Sequence, residues 1–467
     1  NFSSQLQSFS YQQMCRRRSK DPSKKRAAVL VFGDIGRSPR MQNHALQITK
    51  NTDYSVYLIG FLENQPYKEL VENPKIEIVN ITSGLVNKLK KLPRIFYLLY
   101  ALLRIIIECL GLFQLFLCKL DKPDFVIVQN PPSIPVLFVM TILSKCQGFN
   151  FILDFHNYGY TILGLNTRIK PVVWLAKKYE KLFARGLTHG LCVSEAMKED
   201  LRANWKVNAH VVYDKANTEF FKPISLEEKH ELYMRLGLTK NEGESLFTKK
   251  SGNKVVLKEN RPILLISSTS WTKDEDFSIL LNAMEEYDRN ASQSQPGKKD
   301  EIQIKPKFPH LHLIITGKGP EKERYLKMIA EKEKDWKYIK IETKWLEAND
   351  YPKLLAAADL GICLHYSSSG VDLPMKVVDM FGSELPVLAI DYRSIGELVR
   401  NGETGYIFKD TKVLAQLLID IFSDYPDNAA VLEKFKRNIK RFRERTFDIE
   451  WKETVLPLLT QKRKSEQ

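Results

Sequence analysis

Two successive runs of one alternation, short β-rich apolar segments separated by helical ones, constrain this 467-residue chain more than any other feature. The first series contains AAVLVF, SVYLIGF, KIEIVNI, DFVIVQN, NFILDFH, GLCVS and AHVVYDK, from Lys25 to near Lys215. The second opens at Arg261 with PILLISS and continues through LHLIITGKG, YIKIETKWL, LGICLHY, LPVLAID and TGYIF. Strands of this kind alternating with helices predict a parallel sheet covered on both faces. Two series predict two doubly wound α/β domains, and 467 residues are too many for a single core.

The boundaries follow from the pattern. Residues 1–24 read as a tail, 25–222 as the first domain, 223–260 as a linker, 261–440 as the second domain, and 441–467 as a C-terminal helix and tail that cross back. The linker holds one helical piece, EEKHELYMRLG, and a polar tract, TKNEGESLFTKKSGNK, that reads as a loop. RNASQSQPGKKDE reads as a surface insertion. Open α/β sheets bind ligands beyond the carboxyl ends of their strands, so the chemistry is expected at strand-to-helix loops of both domains, facing each other across a cleft.

A net charge of +15 favours an anionic partner: nucleic acid, a membrane surface or a phosphorylated substrate. The six cysteines are scattered without C-x-x-C or metal-ligand spacing, which suits a reducing compartment and predicts no metal site. The chain opens on Asn1 with no signal-peptide pattern, which reads as a processed or trimmed end. The most apolar stretch, Ile95 to Leu120, carries Arg104, Glu108 and Gln114. It reads either as a helix lying in the headgroup region, with the basic KLKKLPR upstream (Lys88, Lys90, Lys91, Arg94), or as a mostly buried helix.

Ser367 to Gly382, SSSGVDLPMKVVDMFG, reads as a phosphate cradle opening onto a helix. Ser368, Ser369 and Gly370 form the loop, Asp372 is a candidate ligand or cap, and Pro374 suits the first helical position. Lys376 and Asp379 share a helix face, giving a cation for phosphate beside a carboxylate for ribose hydroxyls. SSTSWTKDEDF places Ser268, Thr269 and Trp271 at a second strand end, and TGKGP places Gly317 and Gly319 where a ligand can approach backbone. Trp345 is a candidate wall for a base.

In the first half, GDIGRSPR offers Gly33 and Gly36 for tight turns and Arg37 and Arg40 as positive charge for an anion. It lacks the G-x-G-x-x-G spacing of a dinucleotide fingerprint. DFHNYGYTILG places His156, with Asn157 and Tyr158, in a loop after a strand, suited to proton transfer, with Asp154 two residues earlier to orient the imidazole. Glu195, at VSEAM, is the alternative base.

These segments, with VVYDKA and WLEANDYPKLLAAADLGICLH, occur in the order seen in the chitobiosyldiphosphodolichol β-mannosyltransferase family, which the chain resembles from Lys25 to Leu459. The resemblance implies a GT-B fold and inverting β-1,4 transfer of mannose from GDP-mannose to GlcNAc2-diphosphodolichol, on the cytosolic face of the endoplasmic reticulum. It implies no cofactor beyond the donor substrate, and the lack of a metal-ligand constellation in the sequence makes metal-independent transfer the expectation. The implied partners are the lipid-linked chitobiosyl diphosphate, the membrane surface and other mannosyltransferases of the pathway, with no nucleic acid. Many retaining GT-B relatives carry E-x7-E in the donor loop and a basic pair at the start of the second lobe. Here Asp379 stands at the second acid, Val371 at the first, and WTKDED replaces the basic pair. Diphosphate neutralisation is then expected from Lys376, the loop backbone and the Arg37/Arg40 side. Rival readings are a GT-B enzyme with another lipid-linked acceptor, a nucleotide-sugar epimerase, a nicotinamide-dependent oxidoreductase using the first loop, and a non-catalytic binding module.

Overall fold

The computed structural model describes residues 25–82, 97–167, 169–294, 308–426 and 429–460. It divides into two compact units, residues 1–193, 197–212 and 450–467 in the first and residues 194–196 and 213–449 in the second.

The first unit holds seven strands: β1 (Arg26–Asp34), β2 (Ser55–Phe61), β3 (Ile76–Asn80), β4 (Phe125–Asn130), β5 (Asn150–Phe155), β6 (His189–Cys192) and β7 (Ala209–Val211). They form one parallel sheet in the order β3-β2-β1-β4-β5-β6-β7. The continuous apolar runs have the reason expected: Ala27 to Val31 are fully buried, because helices cover both faces of the strand. The order reverses between β1 and β4, where doubly wound sheets open a crevice at their carboxyl edge.

The second unit takes in residues from 213, earlier than the boundary expected at 222, and includes the tract 223–260 expected to be a linker, an expectation the structure corrects. A helix, Leu226–Arg235, starts in a complete capping box between Ser225 and Glu228. Two hairpins follow, β8 (Thr239–Asn241) with β9 (Glu244–Ser245), and β10 (Thr248–Ser251) with β11 (Lys254–Leu257). Gly243 and Gly252 take the positive φ their two-residue turns require, and the fully buried Phe247 anchors the hairpins against Tyr233. Strands β12 (Ile263–Ser268), β13 (Leu311–Thr316), β14 (Ile339–Lys344), β15 (Leu360–Cys363), β16 (Val387–Ile390) and β17 (Gly405–Phe408) then form a second parallel sheet. Its order, β14-β13-β12-β15-β16-β17, again reverses beside its first strand.

The helix Ala430–Glu444 stays with the second unit, burying Phe435 and Ile439 in its core. The chain returns to the first unit at residue 450, within the helix Phe447–Thr460, later than the boundary expected at 441. Tyr97–Gln114 is helical and continues through a wider turn, Leu115–Lys119. Among the described residues no helix is long and apolar enough to cross a membrane. Lys88, Lys90, Lys91 and Arg94 lie outside the described residues, as does 295–301 of the expected insertion, whose first residues instead end the helix Phe277–Gln293.

Candidate active site

In the first unit, Asp154 stands near the carboxyl end of β5, between Gln129 of β4 and Leu191 of β6, and is fully buried. An isolated carboxylate there would be strongly disfavoured, so its surroundings must compensate. Arg40 does so with a two-pronged contact, Nε to Oδ2 at 2.7 Å and Nη2 to Oδ1 at 2.8 Å. Its Nη1 donates to the Val212 carbonyl at 2.6 Å. His44, one helical turn after Arg40, places Nε2 at 3.1 Å from Asp154 Oδ2, and His156 places its own Nε2 at 3.0 Å from the same oxygen. Burial works against the Asp154 charge, but the Arg40 guanidinium and then His156 outweigh it and hold the carboxyl well below its ordinary range.

The tautomers follow from these partners. Trp451 donates its indole N–H to His44 Nδ1 at 3.0 Å, so Nδ1 accepts and the His44 proton sits on Nε2, facing Asp154. Burial depresses the His44 pKa despite the pull of Asp154, so this imidazole is neutral at pH 7. An ionised Asp154 can only accept, so His156 also carries its proton on Nε2. Its Nδ1 has no hydrogen-bond partner among the described residues, on a side chain 24 % exposed. His156 and Asp154 are thus brought together as expected. Arg40 is corrected: expected to meet an anion from solvent, its guanidinium is 4 % exposed and engaged with Asp154 and Val212.

The other expected residues of this half divide. Gly33 lies in β1, and Gly36 sits where a Cβ would press on the Asn64 carbonyl at 2.6 Å, so close chain approach demands this glycine. Asp34 stitches the loop by accepting N–H groups of Gly36, Glu63 and Asn64, and Arg37 projects to solvent beside it with its side chain 77 % exposed. Asn157 turns inward to accept the Tyr158 N–H at 2.7 Å. Tyr158 is corrected from acceptor ligand to core: 2 % exposed, it stacks on Trp205 at 4.8 Å and donates to Asp200 at 2.6 Å. Glu180, unforeseen, is fully buried and accepts the N–H groups of Gly159 and Tyr160, closing the start of the next helix. Glu195 is exposed and opens a separate short helix, where its N–H donates to Glu397.

In the second unit, the acidic run before the helix Phe277–Gln293 divides its labour. Asp276 caps that helix by accepting the Ser278 N–H. Glu275, nearly fully buried, accepts the Thr269 hydroxyl and the Ser270 N–H and pairs with Lys376. Asp274 bonds His365 at 3.3 Å, and Asp372 lies on the other side of that imidazole at 3.9 Å. Burial disfavours charge on His365, but the two carboxylates prevail and raise its pKa to about 9, while His365 lowers Asp274 to about 2. His365 is therefore a cation at neutral pH that the sequence reading passed over.

The serine loop is built around Asp372, whose Oδ1 accepts the hydroxyls of Ser367 and Ser369. The Gly370 N–H, expected to face an anion, is engaged internally on Ser367 Oγ at 2.8 Å, and the neighbouring Val371 N–H bonds Ser369 Oγ at 3.4 Å. Ser368 is half-buried. Gly370 has φ 73°, and a Cβ there would meet nothing within 4 Å, so open space lies before the loop. Pro374 is the residue before the helix Met375–Gly382, one position earlier than expected. Asp379, on that helix, receives no hydrogen bond or ion pair at its carboxyl group among the described residues, and burial pushes its pKa up to about 8.

Two donor-side assignments are corrected. Trp271 is fully buried, stacked on Phe277 at 4.7 Å, and belongs to the core. The Thr269 hydroxyl is engaged between Glu275 and the Trp271 N–H. Gly317 and Gly319 are explained by the chain: a Cβ at either would lie 1.7 Å from the carbonyl of Thr269 or Ser270. Ser268 ends β12 beside Tyr351. Trp345, in contrast, is 64 % exposed after β14, with Lys318 Nζ 3.7 Å from its ring centroid. Among the described residues no group of three or more His, Cys, Asp or Glu is placed to hold a metal ion.

Comparison with known proteins identifies the family and the fold. Residues 299–424 match the sequence family described as glycosyl transferases group 1. Mouse chitobiosyldiphosphodolichol beta-mannosyltransferase is 42 % identical over 447 residues, covering 92 % of this chain and 88 % of that one. An Arabidopsis thaliana protein named UDP-glycosyltransferase TURAN is 40 % identical, with 93 % and 97 % covered. A Rickettsia africae glycosyltransferase structure superposes with a TM-score of 0.60 over 95 % of this chain and 100 % of that one at 13 % identity, a likeness of fold. The two Rossmann-like sheets are those of the GT-B architecture, and at this identity and coverage the chain belongs to the chitobiosyldiphosphodolichol β-mannosyltransferase family and is a glycosyltransferase.

Proposed function

We propose that this enzyme transfers mannose from GDP-mannose to O4 of the terminal GlcNAc of GlcNAc2-diphosphodolichol, with inversion to a β-1,4 linkage. The observation that carries the reading is the His156 imidazole, held by buried Asp154 through Nε2, with no hydrogen-bond partner at Nδ1 among the described residues. The acceptor oxygen attacks the sugar C1 as the bond from C1 to the diphosphate oxygen breaks. The hydroxyl proton passes to His156 Nδ1, and Asp154 stabilises the imidazolium that forms. Inversion follows from this single in-line displacement.

The second unit is assigned to the donor. Asp379, whose carboxyl group has no hydrogen-bond or ion-pair partner among the described residues, suits the ribose hydroxyls, and the exposed Trp345 face suits a base. The leaving diphosphate is assigned to the open space at Gly370, near Lys376, which would share its charge between Glu275 and the phosphates. The donor assignment extends to Ser368, Ser369 and Asp372 of that loop and to Ser268 at the end of β12. Gly33, Gly36, Arg37 and Asn157 remain the acceptor-side assignment. The reaction is proposed to need no metal, and the enzyme to act at the endoplasmic reticulum membrane, facing the cytosol, beside other mannosyltransferases of the pathway. The Arabidopsis relative's name favours a second reading, a UDP-sugar donor.

The test incubates the purified chain with GDP-mannose, or separately with UDP-sugars, and a short-lipid GlcNAc2-diphosphate, with and without chelator, and determines the product's linkage. A β-1,4-mannosyl product from GDP-mannose alone is expected. No product with any acceptor length overturns the reading, and product from a UDP-sugar moves it to the second.

A further inference from the structure

We propose that one face of the first unit, built by the helices Tyr97–Gln114, Gly159–Asn166 and Lys170–Phe183, docks on an anionic lipid bilayer. The sheet order puts these helices together. The crossovers from β3 to β4, β4 to β5 and β5 to β6 all travel in one direction along the sheet, and right-handed crossovers of one direction lie on one face. Side chains agree: Phe138, on the intervening helix Val136–Gln147, packs edge-on against Phe183 at 5.6 Å. Cys109 and Tyr179, from the outer two helices, are close enough to interact electrostatically.

This face is apolar where a soluble surface is polar. On the first helix Leu102, Ile106 and Leu110 recur every fourth residue and are 56 %, 45 % and 63 % exposed, forming an outward stripe, while Leu112 is buried. Leu165 on the second helix, Ile169 just before the third, and Trp174 and Leu175 on it are 52 % to 63 % exposed. Scattered apolar side chains need no partner, but seven exposed ones on neighbouring helices of one face call for one.

The charges select the partner. Lys170, Lys177 and Lys178 are exposed on the third helix, with Lys178 Nζ 5.5 Å from the Trp174 ring centroid and Lys177 Nζ 5.1 Å from that of Tyr160. The only acid on that helix, Glu180, is fully buried, and Glu108 on the first is paired with Arg104 at 2.6 Å with its side chain 10 % exposed. The face therefore offers aromatic and aliphatic groups for the acyl boundary and uncompensated ammonium groups for phosphate headgroups, the composition of an interfacial element. The second helix begins three residues after His156, so docking brings the loop of the proposed base to the surface that holds a lipid-linked diphosphate. In that purpose the inference rests on the proposed function, but binding is measured without substrate.

The experiment is flotation of the full chain with phosphatidylcholine vesicles containing or lacking phosphatidylserine, beside the double variant Trp174→Ser/Leu175→Ser, the variant Leu102→Ser/Leu110→Ser, and a control, Leu257→Ser, on the second unit's hairpin. The altered side chains are half or more exposed, so folding should survive, and circular dichroism checks it. Each patch variant should lose about tenfold or more in partitioning, and the control nothing. Replacing Lys177 and Lys178 by Gln should lose roughly fivefold per charge on phosphatidylserine vesicles and little on neutral ones. Transfer to a water-soluble short-lipid acceptor should be unchanged in the patch variants, which separates failure of docking from failure of the proposed reaction. Unaltered flotation of folded patch variants overturns the inference. So does absent vesicle binding with self-association that the variants abolish, which would make the face a protein interface.

Discussion

Changing Asp154 to Asn keeps the shape of the side chain and removes the charge that holds Arg40, His44 and His156 together. Arg40 is left 4 % exposed with one neutral partner in place of a bidentate carboxylate. Breaking a buried pair from one side typically destabilises by about 3 to 5 kcal/mol, because the remaining charge is unpaired. In a unit of this size each kcal/mol moves the midpoint by about 2 to 4 °C, so the first-unit transition should fall by about 6 to 20 °C. The acid limb should change as well. The Asp154 pKa is depressed on folding, so its contribution is present above the ordinary carboxylate value near 4 and is lost as pH falls below it. Asp154→Asn should flatten that loss. Calorimetry of wild type, Asp154→Asn, Arg40→Met and Arg40→Met/Asp154→Leu from pH 3 to 7 measures both effects, and the double variant should recover most of what either single one loses. A midpoint for Asp154→Asn within about 2 °C of wild type, with the acid limb unchanged, would refute the reasoning.

Other outcomes follow from the second unit. His365 carries a raised pKa of about 9, so its contribution is complete below about 6.5 and fades as pH climbs through 9. The shift on His365 corresponds to about 3 kcal/mol, shared between Asp274 and Asp372; His365→Gln should remove this alkaline slope in chemical denaturation. Asp379, pushed up to about 8, retains its proton in the folded state and loses it in the unfolded chain from about pH 4, so stability should decline between these values. Asp379→Asn should abolish that decline while weakening donor binding by roughly tenfold or more in calorimetric titration. Gly319→Ala forces a methyl against the Ser270 carbonyl and should cost the second unit several kcal/mol, on the order of other steric or backbone disruptions, with soluble expression as the first readout.

The strands were legible because burial on both faces writes a continuous apolar run, and every run named in the sequence contains a strand. The hairpins of residues 239–257 were not, since they are short and polar with their faces mostly exposed, although Gly243 and Gly252 marked their turns. At the site, position was legible and partnership was not. Arg40 and Asp154 were each singled out, but 114 residues separate them and nothing local shows that they satisfy one another. The spacing of Arg40 and His44, one turn apart on the helix Pro39–Asn51, was the available signal that both face the same group. Trp451, supplied by the C-terminal helix, had no such signal. The two tryptophans separate: Trp271, expected at the donor, completes an aromatic core with Phe277 and Tyr325, whereas Trp345, expected as a wall for a base, is exposed beside Lys318.

The central claim is that His156 Nδ1 takes the acceptor proton while Asp154 holds the ring. It is tested most directly by measuring single-turnover rate and GDP-mannose affinity for His156→Ala beside wild type. The account predicts a rate lower by about 100-fold to 10,000-fold, with donor affinity changed by less than about twofold. A folded variant that turns over within a fewfold of wild type would contradict it and place the base elsewhere.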